Sequence, residues 1–96
     1  MDLDNILWHL VAGTKGGPNR LYILYVLSDG PQNANQLTKE LGLDYKTIKH
    51  HLEILVENGL VSASQEKKYG ELYSLTDFAK EKVKIFEKYF KKIKLG

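Results

Sequence analysis

The residues best suited to chemistry lie close together in the middle of the chain, between positions 45 and 50. They comprise a phenol, two lysines, a hydroxyl and a histidine: Tyr45, Lys46, Thr47, Lys49 and His50. If Ile48 faces a core, a helical step of about 100° per residue turns the lysines and the histidine to the opposite side. Such side chains suit the phosphate oxygens and base edges of nucleic acid. An ordinary solvated helix face carries the same residue types, so the surrounding elements decide between the two interpretations.

Metal binding and catalysis find little support in the rest of the sequence. The histidines are His9, His50 and His51, and adjacent helical residues point about 100° apart, so the last two cannot both bind one ion without distortion. The chain has no cysteine, which excludes disulfides, thiolate metal sites and cysteine nucleophiles. The TKGG loop at 14–17 lacks the strand and spacing of a P-loop, and no nucleophile is paired with a base. We therefore expect no metal, no cofactor and no enzymatic activity.

Residues 35–59 predict a helix-turn-helix that positions the candidate residues. Asn35 is expected to cap the first helix, which ends at Gly42 because glycine enters the left-handed conformation at low cost. Asp44 then caps the second, recognition helix over 44–58, since its carboxylate accepts from the free N–H groups of the first turn. The apolar positions are Leu37 and Leu41 in the first helix and Ile48, Leu52, Leu55 and Val56 in the second. In DNA-binding proteins the second helix of such a pair enters the major groove.

The elements on either side extend this pattern. Pro18 precedes a helix predicted over 19–28, with Leu21, Leu24, Tyr25 and Leu27 inward, and residues 32–34 predict a very short strand. Residues 60–75 change to period 2, which predicts a β-hairpin. In this hairpin Val61, Ala63 and Gln65 share one face, and Tyr73 and Leu75 point inward from the returning strand. Lys67 and Lys68 lie at its tip, 66–70, within reach of a phosphate or the minor groove, although tip lysines also serve solubility and protect strand edges. A hairpin in this place is the wing of a winged helix.

Apolar helices at both ends of the chain predict a homodimer. A helix is expected over 2–12 and another over 76–94, the second capped by Thr76. The apolar residues of the last helix are spaced alternately four and three apart, which is typical of a helix-pairing seam, and an apolar patch of this kind needs cover. The expected interface residues are Leu3, Ile6, Leu7, Leu10, Val83, Phe86, Phe90 and Ile93. The alternative is that the last helix folds back on its own core.

Length and composition indicate one soluble domain over 1–96, with 43% hydrophobic and 27% charged residues. The net charge of +2 is uneven, since residues 1–76 carry 7 Lys and Arg against 9 Asp and Glu, and residues 77–96 carry 7 against 3. This charge balance neither requires nor excludes binding to nucleic acid. No apolar run is long enough to span a bilayer, and no basic leader precedes the first one. We therefore expect a cytoplasmic protein without a membrane partner.

The predicted order is helix, helix, short strand, helix, helix, hairpin, helix: a mainly α fold with a small β-hairpin wing. This order resembles the ArsR-like winged helix-turn-helix transcription regulators over nearly the whole chain. The segments that carry the resemblance are PNRLYILYVL (18–27), NQLTKELGLDYKTIKHHLEILVENGLV (35–61) and YGELYSLT (69–76). AGTKGGPNR (12–20) together with LDYKTIKHHL (43–52) is similar to a narrower group of small archaeal winged-helix proteins.

The resemblance implies a homodimeric, sequence-specific regulator of transcription that binds double-stranded DNA and dimerises through its first and last helices. By motif position, Tyr45, Lys46, Thr47, Lys49 and His50 take the DNA-reading places. His51 matches a family histidine that packs beside the recognition helix. Many members sense metals through clusters of cysteine and histidine. This sequence departs from them because the thiolate site in the helix before the turn is absent, so we do not expect metal-responsive repression. Any small-molecule effector is unknown.

A protein-interaction module is the main alternative, because winged helices also serve as scaffolds that do not read DNA. The lysines of the recognition helix and the hairpin tip favour DNA, whereas Glu53, Glu57 and Glu66 place acidic groups nearby. The salt dependence of binding distinguishes the two alternatives. Contacts to phosphates release counterions, so the affinity for DNA should fall steeply as salt rises, whereas the affinity for a partner held by apolar contacts should not.

Overall fold

The computed structural model describes residues 16–68 and 70–82. The elements in chain order are α1 (Gly17–Leu27), β1 (Gln32–Asn33), α2 (Ala34–Leu41), α3 (Tyr45–Glu57), β2 (Val61–Glu66), β3 (Gly70–Leu75) and α4 (Asp77–Glu81). Over the described residues, this is the predicted order of elements. The predicted helix over 2–12, most of the helix over 76–94 and all eight expected dimer residues lie outside the described residues.

The sheet has the strand order β1-β3-β2, so the hairpin's second strand is central. Val61 lies opposite Leu75 and Glu66 opposite Gly70, which fixes the register of the hairpin along its whole length. β1 adds only two residues, with Gln32 opposite Tyr73. The wing is therefore anchored at its base by both β1 and the core, and it extends away from them toward its tip.

Local capping explains where α2 and α3 begin and end. α2 is capped by Asn33, whose side chain accepts from the Gln36 N–H at 2.8 Å while the Gln36 side chain accepts from the Asn33 N–H at 2.8 Å. The expectation that Asn35 is the cap was wrong, because the reciprocal capping box needs a Gln or Glu three residues after the cap and only Asn33 has one. Gly42 ends α2 at φ 68°, as predicted. The Asp44 carboxylate accepts from the Thr47 N–H at 2.7 Å and so caps α3.

The core lies between the three longer helices and the sheet. Its fully buried side chains include Leu21, Ile23, Leu24, Leu37, Ile48, Leu52, Leu55 and Leu60. From the predicted apolar stripe of α3, Val56 is the exception, with 39% of its surface exposed. Tyr25 of α1 is likewise only half-buried. Three buried leucine or isoleucine positions spaced four and three apart are enough to fix which side of α3 faces outward.

The two strands of the wing differ in burial. Tyr73 and Leu75 of β3 are buried as expected, but in β2 only Val61 is buried, and Ala63 and Gln65 are exposed. Val61 lies opposite Leu75 at the end of the hairpin that enters the core, whereas Gln65 lies opposite Glu71 toward the exposed tip. Thr76 caps α4 by accepting from the Ala79 N–H at 3.1 Å. In the described part of the chain, no helix has the length and apolar character needed to cross a membrane.

Candidate nucleic-acid interface

The first two turns of α3 present polar side chains to solvent on the side opposite the core. Lys46 and His50 are exposed, Tyr45 is 52% exposed, and Thr47 is half-buried beside the Asp44 cap. Hydrogen bonds from the Thr47 backbone and hydroxyl, with a smaller effect of Lys46, lower the pKa of Asp44. A negative charge is thus held at the start of α3, where it stabilises the helix dipole. We call Tyr45, Lys46, Thr47 and His50 the front of α3. At a helical step of about 100°, Lys46 and His50 lie opposite Ile48, and Tyr45 and Thr47 lie to either side of them.

Lys49, the fifth predicted residue, is held at one side of this surface instead of extending into solvent. Its ammonium donates to the Tyr73 hydroxyl at 2.7 Å and to Glu71 Oε1 at 3.1 Å. The Tyr73 hydroxyl in turn donates to Glu71 Oε1, and Gln65 Nε2 donates to Glu71 Oε2 at 3.3 Å. We call Lys49, Gln65, Glu71 and Tyr73 the polar cluster. It joins the recognition helix to both strands of the wing.

Within the polar cluster, the hydrogen bonds favour the charged forms of both Lys49 and Glu71. The Tyr73 and Glu71 hydrogen bonds raise the pKa of Lys49, and those from Tyr73 and Lys49 lower the pKa of Glu71. Burial, followed by the hydrogen bond to Glu71, raises the pKa of Tyr73. At neutral pH the cluster therefore contains a cation, an anion and a neutral phenol, and its net charge is zero. The positive charge of Lys49 is compensated within the protein.

Two open clefts border the polar cluster. The first, of about 160 Å³, is lined by Asn33, Asn35, Tyr45, Lys49 and Gly70, among others, and separates the start of α2 from the wing. The second, of about 270 Å³, lies between the far half of α3 and the wing, and its lining includes Glu53, Val56 and Glu57. Lys49 and Glu71 line both clefts. The second cleft adds Glu53 and Glu57, whose negative charges disfavour phosphate.

The wing tip carries the remaining predicted residues. Lys67 and Lys68 are both exposed in the turn between β2 and β3. The hairpin register places them at the end of the sheet farthest from Val61 and Leu75, the pair that enters the core. They are thus separated from the front of α3 by the polar cluster, and the two basic regions lie on different elements.

Comparison with known proteins identifies the family. The family model described as "Bacterial regulatory protein, arsR family" matches residues 17–63. A curated protein of Methanocaldococcus jannaschii, named as an uncharacterized HTH-type transcriptional regulator, is 36% identical over 73 residues, which cover 75% of this chain and 82% of that protein. The chain belongs to the ArsR family of helix-turn-helix regulators. This confirms the resemblance drawn from the sequence and makes the chain a DNA-binding transcription regulator rather than an enzyme.

Solved structures share the winged-helix fold at low identity. The transcriptional repressor BigR from Xylella fastidiosa matches with a TM-score of 0.74 and 23% identity, over 91% of this chain and 82% of that chain. HlyU from Vibrio cholerae matches with a TM-score of 0.71 and 22% identity, over 94% and 98%. A mutant of Lactococcus lactis ZitR matches with a TM-score of 0.69 and 21% identity, over 76% of this chain and about half, 51%, of that chain. These likenesses confirm the predicted fold class.

Behind the recognition helix of this ArsR-family chain lies a buried polar pair that the sequence did not reveal. Arg20 of α1 and His51 of α3 are 4% and 5% exposed, and Arg20 Nη1 lies 3.2 Å from His51 Nδ1. Because arginine has only donors, Nδ1 must be the acceptor, so the histidine is neutral and carries its proton on Nε2. Burial, with smaller effects of Arg20 and His50, lowers the pKa of His51 accordingly.

The Arg20–His51 pair connects the recognition helix to α1 and faces away from the candidate DNA surface. His51 is thus positioned as the family resemblance implied. Arg20 lies two residues after Pro18, in a segment that the resemblance already singled out. Its partner is 31 residues away, and no local spacing predicts the pair. Among the described residues, no group of three or more His, Asp and Glu side chains is placed to hold a metal.

Proposed function

We propose that this ArsR-family regulator binds a two-fold symmetric DNA site as a homodimer, with the recognition helix, 44–58, of each copy in a major groove. In this arrangement Tyr45, Lys46, Thr47 and His50 face the DNA. The wing tip, 66–70, lies on the backbone or in the minor groove, with Lys67 and Lys68 on phosphates. The protein acts in the cytoplasm, where its DNA is.

The observation that carries this proposal is the contrast between the two sides of α3. Ile48, Leu52 and Leu55 are fully buried, which fixes the helix against the core, while Lys46 and His50 on the opposite side are exposed. An α-helix with its side chains is about 10–12 Å across, and the major groove is about 12 Å wide, so α3 fits within the groove.

Dimerisation rests on the sequence pattern at the two ends of the chain. The apolar stripes of residues 2–12 and 83–93 provide more apolar surface than a small domain needs, and pairing two copies covers it. The recognition helices of the two copies then enter successive major grooves roughly 34 Å apart. This spacing predicts an operator whose half-sites are one helical turn apart.

Selection from randomised duplex DNA at two salt concentrations, followed by sequencing of the retained DNA, tests the proposal. We expect enrichment of a two-fold symmetric sequence and an affinity that falls steeply as salt rises, since phosphate contacts release counterions. Binding that is weak, insensitive to salt and without an enriched sequence would contradict it. That outcome would favour the alternative, a winged helix that contacts proteins instead of DNA.

A further inference from the structure

We propose that Glu71 is a specificity-determining residue, which lowers the affinity for non-operator DNA by binding the Lys49 ammonium and so withholding one cation from phosphates. This inference rests on the proposed DNA-binding surface. It assigns a role to an acidic residue of the wing that neither its position in the sequence nor the family resemblance singles out. It also explains why one lysine of the recognition helix is directed to the protein's own sheet.

The geometry of Glu71 supports a dedicated partner for Lys49. Its Oε1 accepts from Lys49 Nζ at 3.1 Å and from the Tyr73 hydroxyl, and its Oε2 accepts from Gln65 Nε2 at 3.3 Å. Gln65 lies directly opposite Glu71 in the hairpin, and Tyr73 is two residues along the same face of β3. Both carboxylate oxygens are therefore oriented by wing residues, and the orientation directs Oε1 to the recognition helix.

The exposure of the pair makes it responsive to DNA. The side chains of Lys49 and Glu71 are 31% and 36% exposed, so solvent and ions reach both charged groups. Once the carboxylate charge of Glu71 is removed, the Lys49 ammonium loses its ionic partner and can bind a phosphate oxygen instead. In the native chain, by contrast, the Lys49–Glu71 pair has no net charge, so it offers no free cation to the phosphates of random-sequence DNA.

Specificity is the difference between the affinity for the operator and the affinity for random-sequence DNA. Binding to random-sequence DNA relies on phosphate contacts, so withholding a cation lowers mainly that affinity. The front residues of α3 still contact base edges when the sequence is correct. Removing the Glu71 charge should therefore strengthen binding to random DNA more than binding to the selected operator. Without the Glu71 charge, the ratio of operator affinity to random-sequence affinity should therefore be smaller than in the native chain.

The test compares the native chain with Glu71→Gln on random-sequence duplex DNA, by fluorescence anisotropy at several salt concentrations. Glutamine keeps an acceptor for the Tyr73 hydroxyl and removes the charge. We expect tighter binding and a plot of log affinity against log salt that is steeper by about 0.9 for each recognition helix on the DNA. Per helix, this corresponds to an additional loss of roughly three- to fourfold in affinity between about 50 and 200 mM salt.

Two further variants separate the role of Lys49 from a general change of charge. Glu40→Gln makes the same charge change at an exposed position of α2 that borders neither cleft, and it should leave the slope unchanged. Adding Lys49→Met to Glu71→Gln should return the slope to the native value. Glu71→Ala provides a second neutral variant, and circular dichroism confirms that each variant is folded.

The outcomes are distinguishable. If the native chain binds DNA with the expected salt dependence but Glu71→Gln and Glu71→Ala keep the native slope, this inference is overturned and the proposed function stands. A steeper slope that persists after Lys49→Met would also overturn it. If the native chain shows no salt-dependent binding to DNA, the proposed function fails and this inference falls with it.

Discussion

Replacing Gly16 is expected to destabilise the fold for a steric reason, because Gly16 lies against the buried Arg20–His51 pair. A Cβ at this position would lie 2.7 Å from Arg20 Nη1 and 2.8 Å from His51 Cε1, well inside ordinary contact distance. The backbone of Gly16 is in a conformation open to any residue, with φ −90° and ψ 4°, so Gly16→Ala introduces no backbone strain. Its effect therefore measures the tightness of packing around Arg20 and His51.

Two opposing contributions set the size of the effect. Replacing glycine by alanine stabilises a compatible position by about 0.4–1 kcal/mol, because the unfolded chain loses freedom. Overpacking a filled site costs about 1–3 kcal/mol, and both neighbours here are about 95% buried. We expect the steric cost to win, with a net loss of about 1–2 kcal/mol. For a domain of this size that lowers Tm by roughly 4–16 °C.

A double-mutant cycle followed by urea unfolding identifies the cause. His51→Ala removes the Cε1 atom, so Gly16→Ala should cost less by at least about 0.5 kcal/mol in that background. Gly42→Ala is the matched control: it strains the backbone at φ 68° but meets nothing within 4 Å, so its cost should be the same in both backgrounds. A Gly16→Ala variant as stable as the native chain, or strictly additive with His51→Ala, would refute this reasoning.

Two more predictions concern stability and assembly. Because the pKa of His51 is lowered in the fold, the unfolded chain binds more protons below about pH 6.5, so the free energy of unfolding should fall as pH decreases from that value. His51→Gln should flatten the dependence between about pH 6.5 and 5 in denaturation curves, and an unchanged profile would contradict the assignment of a neutral His51. Phe86→Asp combined with Phe90→Asp should yield a monomer in analytical ultracentrifugation, and a surviving dimer would mean that these residues belong to an internal core.

The boundaries of the helix-turn-helix were predictable because local rules determine them. Gly42 and Asp44 act within a few residues of their own positions, through backbone conformation and capping. The misassigned cap follows the same logic: Asn33 and Gln36 form an Asn-x-x-Gln capping box that the sequence already contained, and a search for that spacing would have found it.

The polar pairs of the site were not predictable, because they join residues that are distant in sequence. Lys49 and Glu71 are 22 positions apart, and a helical wheel shows only that Lys49 lies opposite the core. Which way a long side chain turns from that position depends on the wing, whose orientation the sequence does not reveal. The exposure of Ala63 has a similar cause, since alternation predicts which residues of a strand share a face but not whether another layer covers that face.

The most direct test of the account is the salt dependence of operator binding by Lys46→Ala, compared with Lys80→Ala. Both variants lose one exposed cation, but Lys46 lies on the front of α3, whereas Lys80 lies in α4 beside a different cleft, near Gly30 and Ser74. We expect Lys46→Ala to weaken binding and to reduce the slope of log affinity against log salt by about 0.9 for each recognition helix in contact with DNA. Lys80→Ala should retain the native slope. Equal effects of the two variants would contradict the assignment of the front of α3 as the DNA-binding surface.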